Sequence, residues 1–96
     1  MKLKDALAVL PVEIDWTDAL AEGDSIQTAS WAVAPAEDGG LVVDSHEKTD
    51  TVATAVISGG IEGVMYRLTN TVVTALGYAD SRSISVRIGA TRAEVS

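Results

Sequence analysis

The residues with the clearest potential for chemistry surround the single histidine of the chain. Asp44, Ser45 and His46 are consecutive. In an extended strand Asp44 and His46 would lie on one side, where the carboxylate could orient the imidazole. Ser45 would point to the other side, away from the base that it would need as a nucleophile, and no Gly-x-Ser-x-Gly motif occurs in the chain. We interpret His46 as an exposed loop or strand-end residue, and we predict no catalytic residue and no enzymatic activity.

Four carboxylates that are close in sequence are the best candidates for a cation site. They are Asp15, Asp18, Glu22 and Asp24. Oxygen ligands of this kind suit Ca²⁺, but the alternating aspartates followed by glycine that mark a calcium loop are missing. Turn formation and capping explain Asp18 and Asp24 equally well. The chain also has no cysteine, so thiolate ligands and disulfides are excluded. We predict no metal ion and no cofactor.

A glycine-rich segment could in principle cradle a phosphate. Gly59, Gly60 and Gly63 lead from one β-branched segment into another, and no P-loop lysine follows them. Glycine adopts positive φ without steric cost, so we expect these three residues to be structural and to form a corner between sheets. Tyr66 then falls where β-sandwiches place a corner tyrosine, whose hydroxyl bonds to the backbone a few residues upstream. Tyr66 is therefore also predicted to be structural.

Alternation of apolar and polar residues predicts a hairpin near the end of the chain. In the segment 66–75, Tyr66, Leu68 and Val72 share one face with Asn70 and Thr74. In the segment 83–88, isoleucine and valine alternate with serine and arginine, the period of a half-buried strand. The intervening residues 76–80 contain Gly77 and suit a turn. Tyr78 would be exposed at its tip.

Four further segments complete the set of predicted strands. They are Val12–Trp16, Ser25–Val33, Leu41–Val43 and Thr51–Ser58. Short strands at spacings of about ten residues, separated by turn signals, predict an all-β fold. We expect an immunoglobulin-like antiparallel β-sandwich of six to seven strands, and a barrel of the same strands is the alternative. Val12–Trp16 is predicted to be an edge strand.

Some details of these strands stay open in the sequence. Either Ala53, Ala55 and Ile57 or their neighbours could face inward. Ile26 and Trp31 are an odd number of residues apart, so burying both would require a β-bulge, expected around residues 28–30. We assign Trp31 to the core and Trp16 to a rim or interface. Residues 17–24 suit one helical turn, with Thr17 as its cap and Gly23 as its end.

Length and charge limit the possible partners. We expect one domain over residues 1–96, with residues 1–10 as a flexible arm and residues 90–96 as a flexible tail. Asp5 interrupts the first apolar segment, so we interpret it as mature sequence rather than a signal peptide. No stretch approaches the roughly 20 apolar residues of a membrane span. The formal net charge of −7 disfavours nucleic acid and anionic membranes as partners.

An ordered set of short motifs resembles a known family. The motifs are Asp15-Trp16-Thr17-Asp18, Gly23-Asp24-Ser25-Ile26, Ser30-Trp31-Ala32-Val33, Ser58-Gly59-Gly60, Gly63, Tyr66, Leu68-Thr69-Asn70 and Arg82-Ser83-Ile84. In this order and spacing the chain resembles the small fiber–tail adaptor-like virion proteins of tailed bacteriophages and prophages. The resemblance covers residues 15–88 and implies an immunoglobulin-like sandwich with a structural role. It supplies no catalytic residues.

The resemblance implies a protein that is made in the bacterial cytoplasm and functions in the virion. Its expected partners are other virion proteins, namely tail, fibre or portal subunits, and we expect it to be oligomeric in the assembly and monomeric alone. Strand addition at sheet edges is the expected mode of binding, at Val12–Trp16 and at Ile84–Ile88. The interface candidates are Trp16, Tyr78, Ser85 and Arg87. A module that recognises host glycan or decorates the capsid is the alternative function.

Overall fold

The computed structural model describes residues 2–89. The predictions for Met1 and for the tail at 90–96 lie outside the described residues. The described residues form seven strands and one short 3₁₀ helix: β1 (Lys2–Asp5), β2 (Leu10–Asp15), η1 (Thr17–Ala19), β3 (Ile26–Ala34), β4 (Leu41–Lys48), β5 (Val52–Gly59), β6 (Met65–Thr74) and β7 (Ala79–Gly89). Among the described residues, no helix is long and apolar enough to cross a membrane.

The strands form two sheets that pack as a sandwich. The four-stranded sheet has the order β1-β7-β6-β3, and the three-stranded sheet has the order β2-β5-β4. The pairings are antiparallel except that of β1 with β7, which is parallel. The all-β sandwich is therefore confirmed, with two separate sheets rather than a closed barrel. The narrower immunoglobulin-like assignment stays a prediction.

Alternating side chains of both sheets fill the core. In β6 the predicted face is buried from Tyr66 to Thr74, and β7 pairs with β6 as the predicted hairpin. In β5 the structure settles the open choice, because Ala53, Ala55 and Ile57 are fully buried. The small side chains of Ala53 and Ala55 leave room for large ones, because interiors are packed densely. Ala55 shares a core cluster with Tyr66, and Ala53 shares one with Trp16.

The N-terminal segment differs from the prediction of a flexible arm over residues 1–10. Lys2–Asp5 forms β1 and lies parallel to β7, with Lys4 beside Ile88. The Lys4 ammonium group is buried and donates hydrogen bonds to the backbone oxygens of Gly59 (2.7 Å) and Asp5 (2.9 Å). The arm prediction is wrong for this segment, because Lys2–Asp5 pairs with Val86–Gly89 at the second edge of β7. For the same reason the prediction that Ile84–Ile88 is an edge strand is wrong from Val86 onward, whereas Ile84 and Ser85 pair with β6 alone among the described residues.

Two local predictions are corrected in position. A register shift does occur in β3, but it lies between Ile26 and Thr28, before the predicted site at 28–30. Thr17 does not cap the 3₁₀ helix with its side chain. Instead Asp15 Oδ1 accepts hydrogen bonds from the Thr17 backbone N–H (2.9 Å) and hydroxyl (2.6 Å). A carboxylate two residues upstream is a stronger acceptor than a hydroxyl, which explains why Asp15 takes this role.

Candidate interaction surface

The sandwich presents its loops at two opposite ends. We call one the hairpin end; it contains residues 16–25, the β4–β5 turn and the β6–β7 turn. We call the other the corner end; it contains the loops after β1, β3 and β5. The ten residues of β6 separate these ends by about 33 Å, at the usual rise of a strand. The two ends are therefore distinct surfaces.

Trp16 lies in the core at the hairpin end, and only 1% of it is exposed. Its Nε1 donates a hydrogen bond of 2.8 Å to Asn70 Oδ1, and the Asn70 amide nitrogen donates to the Ser30 backbone oxygen (3.0 Å). The placement of Trp16 at an exposed rim is wrong. Trp31 packs against both core clusters as expected but stays partly exposed, because its strand β3 lies at a sheet edge.

Arg82 covers the Trp16 ring. The centre of its guanidinium group lies 4.4 Å from the ring centroid, a cation–π distance. One of its nitrogens, Nη1, also donates to the Asp15 backbone oxygen (3.0 Å). Arg82 thereby joins β7 of one sheet to the end of β2 in the other. The sequence analysis missed this role of Arg82 and the role of Asn70, because each of these residues is far from Trp16 along the chain.

A cavity of about 350 Å³ opens beside Trp16, between the loop after β2 and the β6–β7 hairpin. Its lining is mostly apolar, with two carboxylates and a tyrosine. The lining residues are Trp16, Ala19, Leu20, Ala21, Asp24, Val72, Thr74, Tyr78, Ala79 and Asp80. Pockets of this size and polarity are typical of binding sites. The predicted interface residues Trp16 and Tyr78 thus meet at one cavity, Trp16 as a buried wall.

Asp24 ties the loop to the hairpin. Its Oδ1 accepts hydrogen bonds from the backbone N–H groups of Ser25 (2.8 Å) and Leu76 (3.0 Å), and the Ala75 N–H donates to the Ser25 oxygen (2.9 Å). Burial raises the pKa of the Asp24 carboxyl, but hydrogen bonds from Thr74 and from backbone amides outweigh burial, and the pKa is lower than usual. Asp24 is therefore ionised near neutral pH, and the loop is held in place.

Tyr78 projects from the rim of this cavity with 65% of its surface exposed. Its backbone is fixed by Thr74, whose N–H donates to the Tyr78 oxygen (2.7 Å) and whose hydroxyl accepts from the Tyr78 N–H (3.1 Å). Leu76 on the same turn is 61% exposed. The exposed position predicted for Tyr78 is confirmed. An exposed aromatic side chain on a backbone held in this way is well suited to a protein interface.

Tyr66 organises the corner end. Its buried hydroxyl accepts a hydrogen bond from the Ile61 N–H (3.0 Å), five residues upstream, and donates one to Glu37 Oε1 (2.8 Å). Burial and the nearby Glu37 carboxylate raise the Tyr66 pKa, although the Ile61 hydrogen bond opposes them. Gly59, Gly60 and Gly63 all have positive φ. This geometry matches the predicted tyrosine corner and glycine turn.

The corner end also exposes large apolar side chains. Leu7 is 78% exposed and Val9 is 62% exposed. On the outer face of the four-stranded sheet, Leu3 and Met65 both lie beside Arg87 in register, and all three are exposed. Arg87, a predicted interface residue, is therefore available through its side chain. Backbone pairing at Arg87 is excluded as a binding mode, because β1 and β6 flank this residue. Ser85 lies just before the segment Val86–Gly89 that β1 covers, and in the described residues it pairs with β6 alone.

The sheet edges differ in their chemistry. β2 is an edge strand as predicted and carries Pro11, Glu13 and Asp15, while β4 carries Asp44, Glu47 and Lys48. Proline and charge at an edge discourage strand addition. The nine residues of β3, one of the two edges of the larger sheet, include no charged side chain. Of the two edges predicted from the sequence, β2 is thus poorly suited to pairing, and Ile84–Ile88 is covered by β1 from Val86 onward.

His46, the residue considered first for chemistry, lies apart from these features. His46 is exposed on β4, just after a register shift between Val43 and Ser45. Within residues 2–89, no group of three or more histidine, aspartate and glutamate side chains is arranged to hold a metal ion. Of the four carboxylates considered as cation ligands, Asp15 and Asp24 accept hydrogen bonds from backbone N–H groups of the adjoining turns.

Comparison with known proteins adds one match. The family model described as "Podophage GP4 fiber-tail adaptor protein gp77" matches residues 4–87, which is most of the chain. No curated protein shows a match to this sequence.

Proposed function

This chain belongs to the podophage GP4 fiber-tail adaptor protein family, and from that premise we propose that it joins two virion proteins through the opposite ends of its sandwich. The family description supports a structural role in the phage particle. It also supports tail and fibre proteins as the two partners. In this proposal the chain positions its partners by contact alone and catalyses no reaction.

The exposure of large apolar side chains at both ends carries the proposal. Leu76 and Tyr78 are exposed at the hairpin end, and Leu7, Val9 and Met65 are exposed at the corner end. Scattered apolar residues on a surface are ordinary, but groups of them mark interaction sites. Covering such a group with a partner contributes about 25 cal/mol for each Å² of apolar area removed from water. An adaptor needs two such surfaces, and the strands hold them apart.

Glycan recognition is the weaker of the two hypotheses on function. A sugar platform would require aromatic side chains side by side on a surface. Trp16 is only 1% exposed and is covered by Arg82, so Tyr78 is left as the exposed aromatic residue at the hairpin end. The observed arrangement supports binding of protein segments better than binding of sugar.

Light scattering coupled to size-exclusion chromatography tests the bridging role. The purified chain is mixed with the tail protein, with the fibre protein, and with both, each taken from the same phage. We expect a complex with each partner and a ternary complex with both. If neither partner binds the wild-type chain, the adaptor function is wrong.

Variants then show which partner binds at which end of the sandwich. Leu76→Ser combined with Tyr78→Ser alters the hairpin end, and Leu7→Ser combined with Val9→Ser alters the corner end. Val42→Ser, at an exposed valine on β4, is the matched control. Each double variant should lose one partner and keep the other. If either double variant lost both partners, binding at opposite ends would be contradicted. The same holds if both double variants still bound both partners.

A further inference from the structure

We propose that the cavity beside Trp16 receives one large apolar side chain from a positively charged, extended segment of a partner virion protein. This inference rests on the proposed adaptor function and specifies the chemistry of the partner at the hairpin end. It follows from the size of the cavity, the charge at its rim and the rigidity of its walls.

The cavity has the size and lining for an apolar side chain. Its volume is about 350 Å³, whereas an apolar cavity of about 150 Å³ already holds benzene. Trp16, Leu20 and Val72 provide apolar walls, and the alanines at 19, 21 and 79 leave space between them. A phenylalanine or leucine side chain fits such a volume and would replace water against these walls.

The rim specifies the charge of the segment that carries this side chain. Asp24 and Asp80 are among the ten described residues that line the cavity, and none of the ten is lysine or arginine. Asp18 and Glu22 are exposed on the adjoining loop. Arg82 keeps its positive charge over the Trp16 ring and beside the Asp15 oxygen, but the four carboxylates outnumber it. Lysine or arginine on either side of the inserted side chain would therefore meet complementary charge.

The same charge argues against a second copy of this chain as the occupant. The formal net charge is −7, so a second copy approaching this acidic rim would be repelled. A basic partner is attracted instead. The acidic rim and the net negative charge therefore favour a basic segment as the occupant.

The walls are already in place before binding. The Asp24 carboxylate accepts a hydrogen bond from the Leu76 N–H, and the Trp16 indole donates one to Asn70. The Thr74 hydroxyl accepts a hydrogen bond from the Tyr78 N–H. Little ordering is needed when a ligand enters a site of this kind, which favours affinity. Tyr78 at the rim would lie along the inserted segment.

Peptide probes test the chemistry directly. The probes are acetyl-lysyl-phenylalanyl-lysine amide, its glutamyl analogue with both lysines replaced, and its seryl analogue with the phenylalanine replaced. Binding to the full chain is followed by amide and indole NMR shifts. We expect the lysyl-phenylalanyl probe to shift Trp16, Leu20 and Tyr78, and to bind about three- to tenfold more tightly than the glutamyl probe. Equal binding of all three probes, or shifts elsewhere, would overturn the proposal.

Two variants distinguish the contribution of the cavity volume from that of the charge at its rim. Ala19→Leu fills the cavity without changing charge and should abolish the shifts, while Ala32→Leu, at an exposed alanine on β3, should leave them. Asp80→Asn should reduce the preference for the lysyl probe over the glutamyl probe about two- to fivefold. This variant keeps the apolar walls, so it remains informative if Ala19→Leu fails to fold. Full binding by Ala19→Leu, or an unchanged preference in Asp80→Asn, would contradict the proposal.

The partner complex distinguishes this inference from the adaptor function. The wild-type chain, Ala19→Leu and Ala32→Leu are each mixed with the partner that binds the hairpin end. Loss of the complex in Ala19→Leu alone supports the inference. If Ala19→Leu binds that partner normally, the cavity is not used and the inference is wrong, although the adaptor function stands. If the wild-type chain binds no partner, the adaptor function itself is wrong.

Discussion

The indole Nε1 of Trp16 donates a hydrogen bond of 2.8 Å to Oδ1 of Asn70, and this bond crosses from one sheet to the other. Trp16 follows β2 in the smaller sheet, and Asn70 lies in β6 of the larger one. Asn70 is fully buried and uses its amide nitrogen to hold Ser30 on the edge strand β3. One side chain therefore links three strands and supports the wall of the cavity.

Asn70→Leu should lower the free energy of unfolding by about 2–3 kcal/mol, because it leaves the Trp16 N–H buried without an acceptor. Urea denaturation followed by tryptophan fluorescence measures the change. Trp16→Phe removes the donor. It should therefore lower the free energy of unfolding less in the Asn70→Leu background than in the wild type. Additive costs for the two substitutions would show that this hydrogen bond contributes little.

Tyr66→Phe should destabilise the chain by about 1–2 kcal/mol, since it removes the hydroxyl that bonds to Ile61 and Glu37. Tyr78→Phe is the matched control, because Tyr78 is 65% exposed, and it should change stability by less than about 0.5 kcal/mol. Thermal and urea unfolding of the two variants give the comparison. Equal effects would argue against a structural role for the Tyr66 hydroxyl.

Gly59→Ala should be more harmful than Gly63→Ala, although both glycines have positive φ. An alanine Cβ at residue 59 would lie 2.8 Å from the Gly40 backbone oxygen, whereas a Cβ at residue 63 meets nothing within 4 Å. We expect about 1 kcal/mol for Gly63→Ala from backbone strain alone, and at least about 1 kcal/mol more for Gly59→Ala. The midpoints of urea unfolding measure both costs, and a reversed order would contradict the contact with Gly40.

Lys4→Met should loosen β1 from β7. Methionine keeps an apolar stem but removes the hydrogen bonds to the Gly59 and Asp5 oxygens, at a cost of about 1–2 kcal/mol. Hydrogen exchange of the β1 amides should become faster than in Lys48→Met, the control at an exposed lysine. Unchanged exchange in Lys4→Met would show that backbone pairing alone holds the strand.

Stability should fall in acid partly because of Asp24. Hydrogen bonds make the folded-state pKa of Asp24 lower than the unfolded-state value, so the folded state binds this proton more weakly. The stabilisation is present above the unfolded-state pKa and is lost as pH falls through the folded-state pKa.

Urea denaturation between about pH 5 and about pH 3 should show a smaller loss in Asp24→Asn than in the wild type. Asp15 has a lowered pKa as well, owing to its hydrogen bonds from Thr17, so part of the acid dependence should remain in Asp24→Asn. Asp18→Asn, on the same loop, is the charge-matched control. An acid dependence identical in Asp24→Asn and the wild type would contradict this role for Asp24.

Features that depend on neighbouring residues along the chain could be predicted from the sequence. Alternation over 66–75 and 83–88 specifies a buried face for each strand, and the short turn between them makes their pairing local. The glycines at 59, 60 and 63 and Tyr66 lie within a few residues of one another, so their corner could also be predicted. Ordered motifs along the chain pointed to the adaptor family that the family model matches.

Which segments cover one another depends on contacts between residues that are distant in sequence, and the fold was needed to show them. Trp16 was expected at a rim and Trp31 in the core, but burial of a tryptophan depends on what the other sheet places over it. Asn70 accepts a hydrogen bond from Trp16, and Arg82 covers its ring, both from distant strands. Likewise β1 pairs with Val86–Gly89 at one edge of β7. The cavity likewise forms between a loop and a hairpin that are far apart in the chain. Local periodicity specifies a face for each strand, whereas packing between sheets selects the partner that buries it.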